Sequence, residues 1–262
     1  MVKGLYTAST GMMNEQRRVD VLTNNMANSA TTGFKKEGTT SEAFKDVLAY
    51  KIKDTSEPWG AKRLGTMNMG VKIGENYTDY SQGPLHETGN TFDMALSGNG
   101  FFAIEFMSKG TEETPGEVSV KYTRDGAFTL NVNGELVNKN GDFLLDINGN
   151  HIVLDPLQDF SVDRQGVIHQ GNVNVGQIQV TDFTDYNYLE KYGENYYQPV
   201  DGAEEQPAAA VVYSGYLESS NVQTVQEMVD LITYTRAYET NQKMVQAFDE
   251  TLNTAVNNVG KV

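Results

Sequence analysis

Apolar residues near the start of the chain recur every three or four positions. The stripe consists of Leu5, Ala8, Met12, Val19, Leu22 and Met26, with polar Glu15 in its one gap. This spacing places the apolar side chains on one face of a helix. The sequence therefore predicts an amphipathic N-terminal helix whose apolar face packs against a neighbour.

A second helical stripe lies near the end of the chain. It consists of Met228, Leu231, Tyr238, Val245, Leu252, Val256 and Val259, with Thr235, Gln242 and Asp249 expected in the intervening core positions. An adjacent stripe consists of Val222, Val225, Val229 and Ile232. Because a two-stranded coil needs only one apolar seam, two stripes on one helix predict packing against more than one neighbour.

The pattern between residues 91 and 180 is different. Short apolar runs are separated by turn dipeptides, among them Asn133-Gly134, Asn140-Gly141 and Asn148-Gly149. Both residues of Asn-Gly tolerate the positive φ that a type I′ hairpin turn requires. The block is therefore predicted to be an antiparallel β meander with strands of about five residues.

The remaining segments have no sustained period. Residues 41–49 are predicted to form a short helix, whereas residues 54–74 and 193–210 are rich in Gly or Pro. We interpret the former of these two as an extended connection and the latter as a return loop. The expected fold class is α+β: N- and C-terminal helices pack as a coiled-coil element, with a central, mostly antiparallel β domain.

Composition excludes several partners. The chain has 20 Lys and Arg against 35 Asp and Glu, a formal charge of −15 that repels phosphate backbones, so nucleic acid is not expected to bind. With no cysteine, disulfides and thiolate metal sites are excluded. Neither a secretory h-region nor a run of about 18 apolar residues is present, which predicts no cleavable signal peptide and no membrane insertion.

No motif indicates catalysis or a cofactor. The three histidines lack the spacing of a metal-binding pair: His86, His151 and His169. Residues 146–150 resemble the start of a calcium loop, but Gly149 is its fourth residue instead of its sixth. The adjacent carboxylates Glu112-Glu113 and Glu204-Glu205 lie in Gly or Pro contexts typical of solvated loops. We expect neither an enzyme nor a metal or cofactor site.

Several segments resemble the flagellar rod and hook protein family. They are Asn24-Asn25-Met26-Ala27-Asn28 through Gly33-Phe34-Lys35, residues 88–102, Tyr122-Thr123-Arg124-Asp125-Gly126, residues 176–197, and Gly215-Tyr216-Leu217-Glu218 through Asn241. The matches are collinear from Leu5 to about Val256, so the resemblance covers nearly the whole chain. Length and a single β block resemble the rod subunits, of the distal-rod type or a close paralogue, more than the longer hook subunit.

The resemblance implies a tubular polymer that transmits torque, with both helices in an inner coiled-coil layer and the β domain outside. Implied partners are further copies of the chain, neighbouring rod and hook subunits and the flagellar export apparatus; contact with surrounding ring proteins stays open. The implied location is the basal body, in the periplasm or cell wall, reached by export without a cleaved signal. The expected division is 1–35 N-terminal helix and signature loop, 36–89 extended connecting segment, 90–212 central β domain with return loop, and 213–262 C-terminal helix.

The expected assembly interface lies on both helices and the loop after the first. Its residues are Leu5, Met12, Val19, Leu22, Asn24, Asn25, Met26, Asn28, Val222, Val225, Met228, Val229, Leu231, Ile232, Tyr238, Val245 and Leu252. The asparagine amides either bond to helix-end carbonyl groups, beside a left-handed Gly33, or bond to a neighbouring subunit. The sequence leaves both roles open.

Three other functions remain as alternatives. The chain could be a hook-type subunit of the same family. A non-flagellar carbohydrate-binding β module with a helical stalk would show exposed aromatic residues clustered on the β block. An enzyme acting on peptidoglycan would need two carboxylates in a cleft.

Overall fold

The computed structural model describes residues 2–51, 62–108, 118–171, 173–193 and 195–259. The chain forms two compact units. The first, the helix unit, consists of Met1–Ala27, Lys36–Asp79 and Gln223–Val262. The second, the β unit, consists of Asn28–Lys35 and Tyr80–Val222. These units follow packing rather than chain order, and the division into four successive segments stays a prediction.

The helix unit contains both of the helices that the apolar stripes predict. α1 spans Val2–Ala27, and α2 spans Thr224–Thr254 and continues into a π-helical turn at Ala255–Val259. At the start of α2 the Glu227 amide donates to the carbonyl oxygen of Gln223 at 3.0 Å. The α+β class with one helix at each end is therefore confirmed.

Two nested antiparallel pairs complete the helix unit. β1 (Glu37–Ala43) pairs with β4 (Val71–Thr78), and β2 (Val47–Lys51) pairs with β3 (Lys62–Met67). The short helix expected at residues 41–49 is wrong, because this stretch takes its backbone hydrogen bonds from the partner strands of the ribbon. Of the expected extended connection, residues 54–61 lie outside the described residues, and the rest forms β3 and the start of β4.

The strands of the β unit are short. They are β5 (Leu85–Glu87), β6 (Met94–Ser97), β7 (Phe101–Met107), β8 (Val118–Thr123), β9 (Thr129–Leu130), β10 (Leu136–Val137), β11 (Phe143–Leu144), β12 (Phe160–Val162), β13 (Val167–Gln170), β14 (Val173–Gln177), β15 (Val180–Phe183), β16 (Leu189–Lys191), β17 (Tyr196–Pro199), β18 (Glu205–Pro207), β19 (Val211–Ser214) and β20 (Tyr216–Glu218). Every pairing among the described strands is antiparallel, as predicted for the central block.

The largest sheet has nine strands in the order β16-β17-β8-β7-β11-β10-β9, with β15 bridging β7 to β18. Smaller sheets are β12-β13-β14, β19-β6 and β20-β5. Strand β7 is central because its residues are apolar on both faces. Phe102 and Ile104 belong to one buried cluster, and Phe101 and Ala103 belong to the other. A continuous apolar run is what a strand with two covered faces requires.

The return loop expected at residues 193–210 is only partly a loop. β17 pairs with β8 and β16, and β18 pairs with β15. Tyr196 and Tyr197 are buried, so burial of their rings favours a strand despite the Gly and Pro residues around them. Those breakers mark the turns at Gly193 and Gly202, both of which have positive φ.

The Asn-Gly dipeptides form hairpin turns of a different type from the one expected. Gly134, Gly141 and Gly149 have φ of 82°, 93° and 75°, whereas the asparagine before each has no positive φ. Each glycine amide donates to the carbonyl oxygen three residues earlier, at 3.0, 3.1 and 2.7 Å. These are three-residue loops closed by a glycine bulge, not type I′ turns. A glycine is needed because the bulge position is left-handed.

Candidate assembly interface

The two helices of the helix unit pack side by side and antiparallel. Four contacts along them keep one register: Gly4 with Phe248, Gly11 with Asn241, Arg18 with Tyr234 and Asn25 with Glu227. Each step of seven residues forward in α1 is matched by a step of seven backward in α2. We call this line of contacts the seam.

Small residues of α1 allow the helices to approach closely at the end of the seam that contains Gly4. A Cβ atom at Gly4 would lie 2.6 Å from the Phe248 ring, and one at Gly11 would lie 3.1 Å from the Asn241 amide nitrogen. Ala8, which lies between the two glycines, is buried. In the middle of the seam the Arg18 guanidinium lies 4.8 Å from the centre of the Tyr234 ring, a cation–π contact.

The other end of the seam is a buried polar junction. The Asn25 amide nitrogen donates to the Glu37 carbonyl at 2.8 Å, and the Glu37 N–H donates back to the Asn25 side-chain oxygen at 3.0 Å. The same nitrogen lies 3.4 Å from Glu227 Oε2, and Lys36 Nζ lies 2.5 Å from Glu227 Oε1. The hydrogen bond to Glu227 raises the pKa of Lys36. The junction joins α1, the start of β1 and α2.

This junction replaces the helix-end role expected for the Asn25 amide, whereas its expected contact with a neighbouring subunit stays a prediction. Asn25 has 0% exposure, and its side chain bonds to the backbone of β1 rather than to helix-end carbonyls. α1 ends at Ala27, so Gly33, although left-handed at φ 66°, does not terminate the helix. The carbonyl of Asn28 accepts from the Thr31 N–H at 3.1 Å in the turn that follows.

The apolar stripe of α1 lies on the packed side of the helix. Ala8 and Leu22 are buried, and the half-buried members are Leu5, Met12, Val19 and Met26. Asn24 is exposed on the same helix, whereas Asn28 belongs to the β unit.

The predicted stripe of α2 lies only partly on the packed side. Leu231, Tyr238, Val245 and Leu252 are half-buried, whereas Val256 is 68% exposed and the side chain of Val259 lies outside the described residues. The expected core residues Met228, Thr235, Gln242 and Asp249 are exposed, and each is replaced on the packed side by the residue before it: Glu227, Tyr234, Asn241 and Phe248. The apolar pattern missed these positions because their partners on α1 are glycine, arginine and asparagine, which accept polar or aromatic neighbours.

The adjacent stripe of α2 is left open in the single chain. Val225 is 75% exposed, and Met228, Val229 and Ile232 are each about half exposed. Their spacing puts them on one face of the helix, and we call this face the α2 ridge. Val222, which was expected to continue it, is instead buried and belongs to the β unit.

The family-like segments meet at a buried ion cluster inside the β unit. Glu218 Oε1 accepts from Lys35 Nζ at 2.5 Å and from the Gly83 N–H at 2.9 Å, and its Oε2 accepts from Arg124 at 3.2 Å. Lys35 also donates to the Ser81 carbonyl at 2.9 Å. Lys35 and Glu218 are each 1% exposed, so this carboxylate holds two cations away from water.

Gly33 brings its loop against the same cluster. Its N–H donates to the Glu218 carbonyl at 2.8 Å. A Cβ atom at this position would lie 2.4 Å from backbone atoms of Arg124 and Asp125. Only glycine fits both the left-handed φ and this close approach.

Sequence patterns did not identify Lys35, Lys36, Arg124, Glu218 or Glu227 as site residues. All except Lys36 lie within the family-like segments, and the available signal was a charged residue placed among apolar or glycine neighbours. A buried charge must be paired, so such residues are candidates for a structural ion cluster.

The described residues offer little for other chemistry. No cluster of three or more His, Asp or Glu side chains among them could hold a metal ion. His151 lies 3.3 Å from Glu105 and 3.4 Å from Glu135 and stacks on Phe143. Across the part of the chain that the structure describes, no helix is apolar enough over 18 residues to cross a bilayer.

Comparison with known proteins identifies the relatives of this chain. Residues 5–35 match the model of the flagella basal body rod protein, residues 95–170 that of the flagellar hook protein FlgE/F/G D1 domain, and residues 213–258 that of the flagellar basal body rod FlgEFG protein C-terminal region. The flagellar basal-body rod protein FlgF of Caulobacter vibrioides is 35% identical over the full length of both chains.

Two rod proteins named FlgG are also similar. The one from Bacillus subtilis is 33% identical, with 98% of this chain and 99% of the relative covered. The one from Buchnera aphidicola subsp. Schizaphis graminum is 31% identical, with coverage of 96% and 98%. These matches confirm the family expected from the sequence and favour it over a carbohydrate-binding module or a peptidoglycan enzyme. The chain belongs to the flagellar basal-body rod protein family and is a structural subunit, not an enzyme.

Proposed function

We propose that the helix pair is the polymerising element of this rod subunit and that α1 and α2 pack as an antiparallel coiled coil. The constant register of the seam carries the proposal. Contacts that repeat every seven residues on both helices are the spacing of a coiled coil, in which the same side of each helix faces its partner at every second turn. An accidental crossing of two helices would touch over a short stretch only.

The α2 ridge supports a polymer rather than a lone helix pair. Four apolar side chains on one helix face remain open to water after α1 has covered the seam. Contiguous apolar surface of this kind marks an interaction site. Apart from Asn28 and Val222, which belong to the β unit, the expected assembly residues then divide into two groups. Those near the seam support the pair within a subunit, and those of the ridge contact other copies.

The proposal also covers the partners of the subunit and its location in the cell. The subunit polymerises with copies of itself and with neighbouring rod and hook subunits, in the periplasm or cell wall. It arrives there through the flagellar export apparatus. The family to which the chain belongs supports assembly with rod and hook subunits in the basal body, and the export route rests on the resemblance alone.

The Leu231→Asp variant tests the helix pair. Leu231 is half-buried on the packed side of α2, so the carboxylate would be drawn out of water at the seam. We expect isolated basal bodies to lack this subunit and cells to lose motility. The control is Leu157→Asp, because Leu157 is 95% exposed in the β unit. Rods of normal length and composition built from Leu231→Asp would contradict the proposal.

A further inference from the structure

An apolar groove lies on the helix unit at the end opposite the polar junction. Its volume is about 360 Å³, and its lining residues are Tyr6, Thr10, Phe44, Lys45, Val47 and Met69. Tyr6 is 59% exposed and Val47 is 55% exposed. We call the two nested strand pairs β1 to β4, with the links between them, the ribbon. We call the site the ribbon groove, because α1 forms one wall and the ribbon forms the other.

The walls of the ribbon groove are held by specific contacts. The Phe44 N–H donates to the Gly70 carbonyl at 3.0 Å, and the Asn68 amide donates to the Phe44 carbonyl at 2.5 Å. Gly70 presses against α1, where a Cβ atom would lie 2.1 Å from the Thr10 hydroxyl. The groove is therefore a built feature of the unit, not a gap between loose segments.

The ribbon leaves apolar side chains in water although α1 packs against β1 and β4. Besides the groove residues, Leu48, Met67 and Ile73 of the ribbon are each about 40% exposed. Two-stranded pairs gain stability when another element packs on them. An apolar surface placed over these side chains would therefore stabilise the ribbon.

The α2 ridge of the same copy is too far away to be that surface. In the register of the seam, where Gly4 lies opposite Phe248 and Asn25 lies opposite Glu227, the Ile232 end of the ridge is level with residue 20 of α1. Thr10, the groove residue of α1 nearest to it, is about 10 residues away, which is about 15 Å along a helix. A ridge can therefore enter a groove only if the two belong to different copies.

We infer that the ribbon groove of one copy receives the α2 ridge of a second copy, an inference that rests on the proposed function. The ridge is convex and apolar, and the groove is concave and apolar. Because ridge and groove are different surfaces, the contact is head-to-tail and leaves a free ridge and a free groove at the two ends of every oligomer. Such a contact extends into an open polymer, whereas a ridge-to-ridge contact would close at a dimer.

The size of the two surfaces agrees with a polymer contact. The ridge has four exposed apolar side chains and the groove has six lining residues, well short of the roughly 20–30 residues per partner of a stable isolated pair. One contact alone is therefore weak. In a lattice each copy uses its ridge and its groove together, so the stabilisation is added at every subunit.

Cysteine cross-linking tests the inference, since the natural chain contains no cysteine. Full-length Met69→Cys and Ile232→Cys proteins are mixed, concentrated and oxidised, and light scattering follows polymer growth in the same sample. A disulfide requires Cα atoms within about 7 Å. A disulfide-linked dimer of the two variants, the mixed dimer, therefore shows that the ridge of one copy lies in the groove of the other. We expect that dimer in the mixture, and at least about a tenfold lower yield when Phe44→Asp is added to the Met69→Cys chain.

The control mixes Ile232→Cys with Val132→Cys, because Val132 is fully exposed in the β unit. This pair should show only background cross-linking. Polymer growth without the mixed dimer would refute binding of the ridge in the groove and leave the proposed function intact. A product made only of Ile232→Cys with itself would do the same. A mixed dimer without any polymer would support the groove and contradict the proposed function, and the absence of both would contradict both.

Discussion

The buried ion cluster allows a sharp test of what holds the β unit together. In the Lys35→Met variant the apolar stem of the side chain is kept, and the ammonium group that donates to Glu218 and to the Ser81 carbonyl is lost. Removal of one partner from a buried ion pair costs about 3–5 kcal/mol. Arg124 still neutralises Glu218 at 3.2 Å, so we expect the lower end, about 3 kcal/mol. A typical domain has only about 5–15 kcal/mol of stability.

The assay is urea unfolding of the full-length protein, followed by near-ultraviolet circular dichroism of the tyrosines in the β unit. The matched control is Lys139→Met. Lys139 lies 3.7 Å from Asp125 with 62% of its side chain exposed, and such a pair contributes about 1 kcal/mol or less. The slope of the transition should stay the same in both variants, because the surface exposed on unfolding is unchanged.

A double-mutant cycle with Glu218→Gln separates the ion pair from the loss of packing. Both single variants leave a buried charge with too few partners, whereas the double variant removes a cation and an anion together. We expect the double variant to be more stable than the sum of the single effects implies, by about 1–3 kcal/mol. If Lys35→Met is no more destabilising than Lys139→Met, or if the effects of Lys35→Met and Glu218→Gln simply add, the Lys35–Glu218 ion pair does not stabilise the unit.

Two further predictions concern the same unit. Gly33→Ala should destabilise the protein by clearly more than Gly89→Ala in urea unfolding: both glycines have φ near 70°, but an added Cβ meets backbone at 2.4 Å only at Gly33. Equal losses would mean that only the φ matters. Burial, and then hydrogen bonds to Glu205, Asp182 and Asp142, raise the pKa values of Tyr122, Tyr186 and Tyr196. Because the folded state keeps these protons, stability is constant below the ordinary tyrosine pKa of 10.0 and falls as pH rises above it. Absorbance at alkaline pH should show these three phenols ionising only on unfolding, and full ionisation near pH 10 in the folded protein would refute this.

Periodicity predicted the two helices because a helix face that loses water must repeat every three to four residues. It could not predict which α2 residues face α1. Glu227, Tyr234 and Asn241 are not apolar, and their place on the seam depends on glycine and polar partners far away in sequence. In the β unit, turn dipeptides located the hairpins correctly but not their type.

The buried ion cluster could not be predicted from local sequence patterns. Lys35, Arg124 and Glu218 are separated by about a hundred residues each, so no local window contains the cluster. Their burial follows only once strand pairing brings the three segments together. The burial of Asn25 could not be predicted locally either, because its side chain bonds to the backbone N–H and carbonyl of Glu37, on the far side of the loop that follows α1.

The glycine-bulge turns have a chemical consequence for the subunit. Asn-Gly is the dipeptide most prone to spontaneous deamidation, which begins when the glycine nitrogen attacks the asparagine side-chain carbon. At Gly134, Gly141 and Gly149 that nitrogen is fixed by a hydrogen bond to a carbonyl oxygen within the turn. The attack would have to break this bond and move a left-handed glycine. The hairpins that shape the β unit thus also slow its chemical ageing.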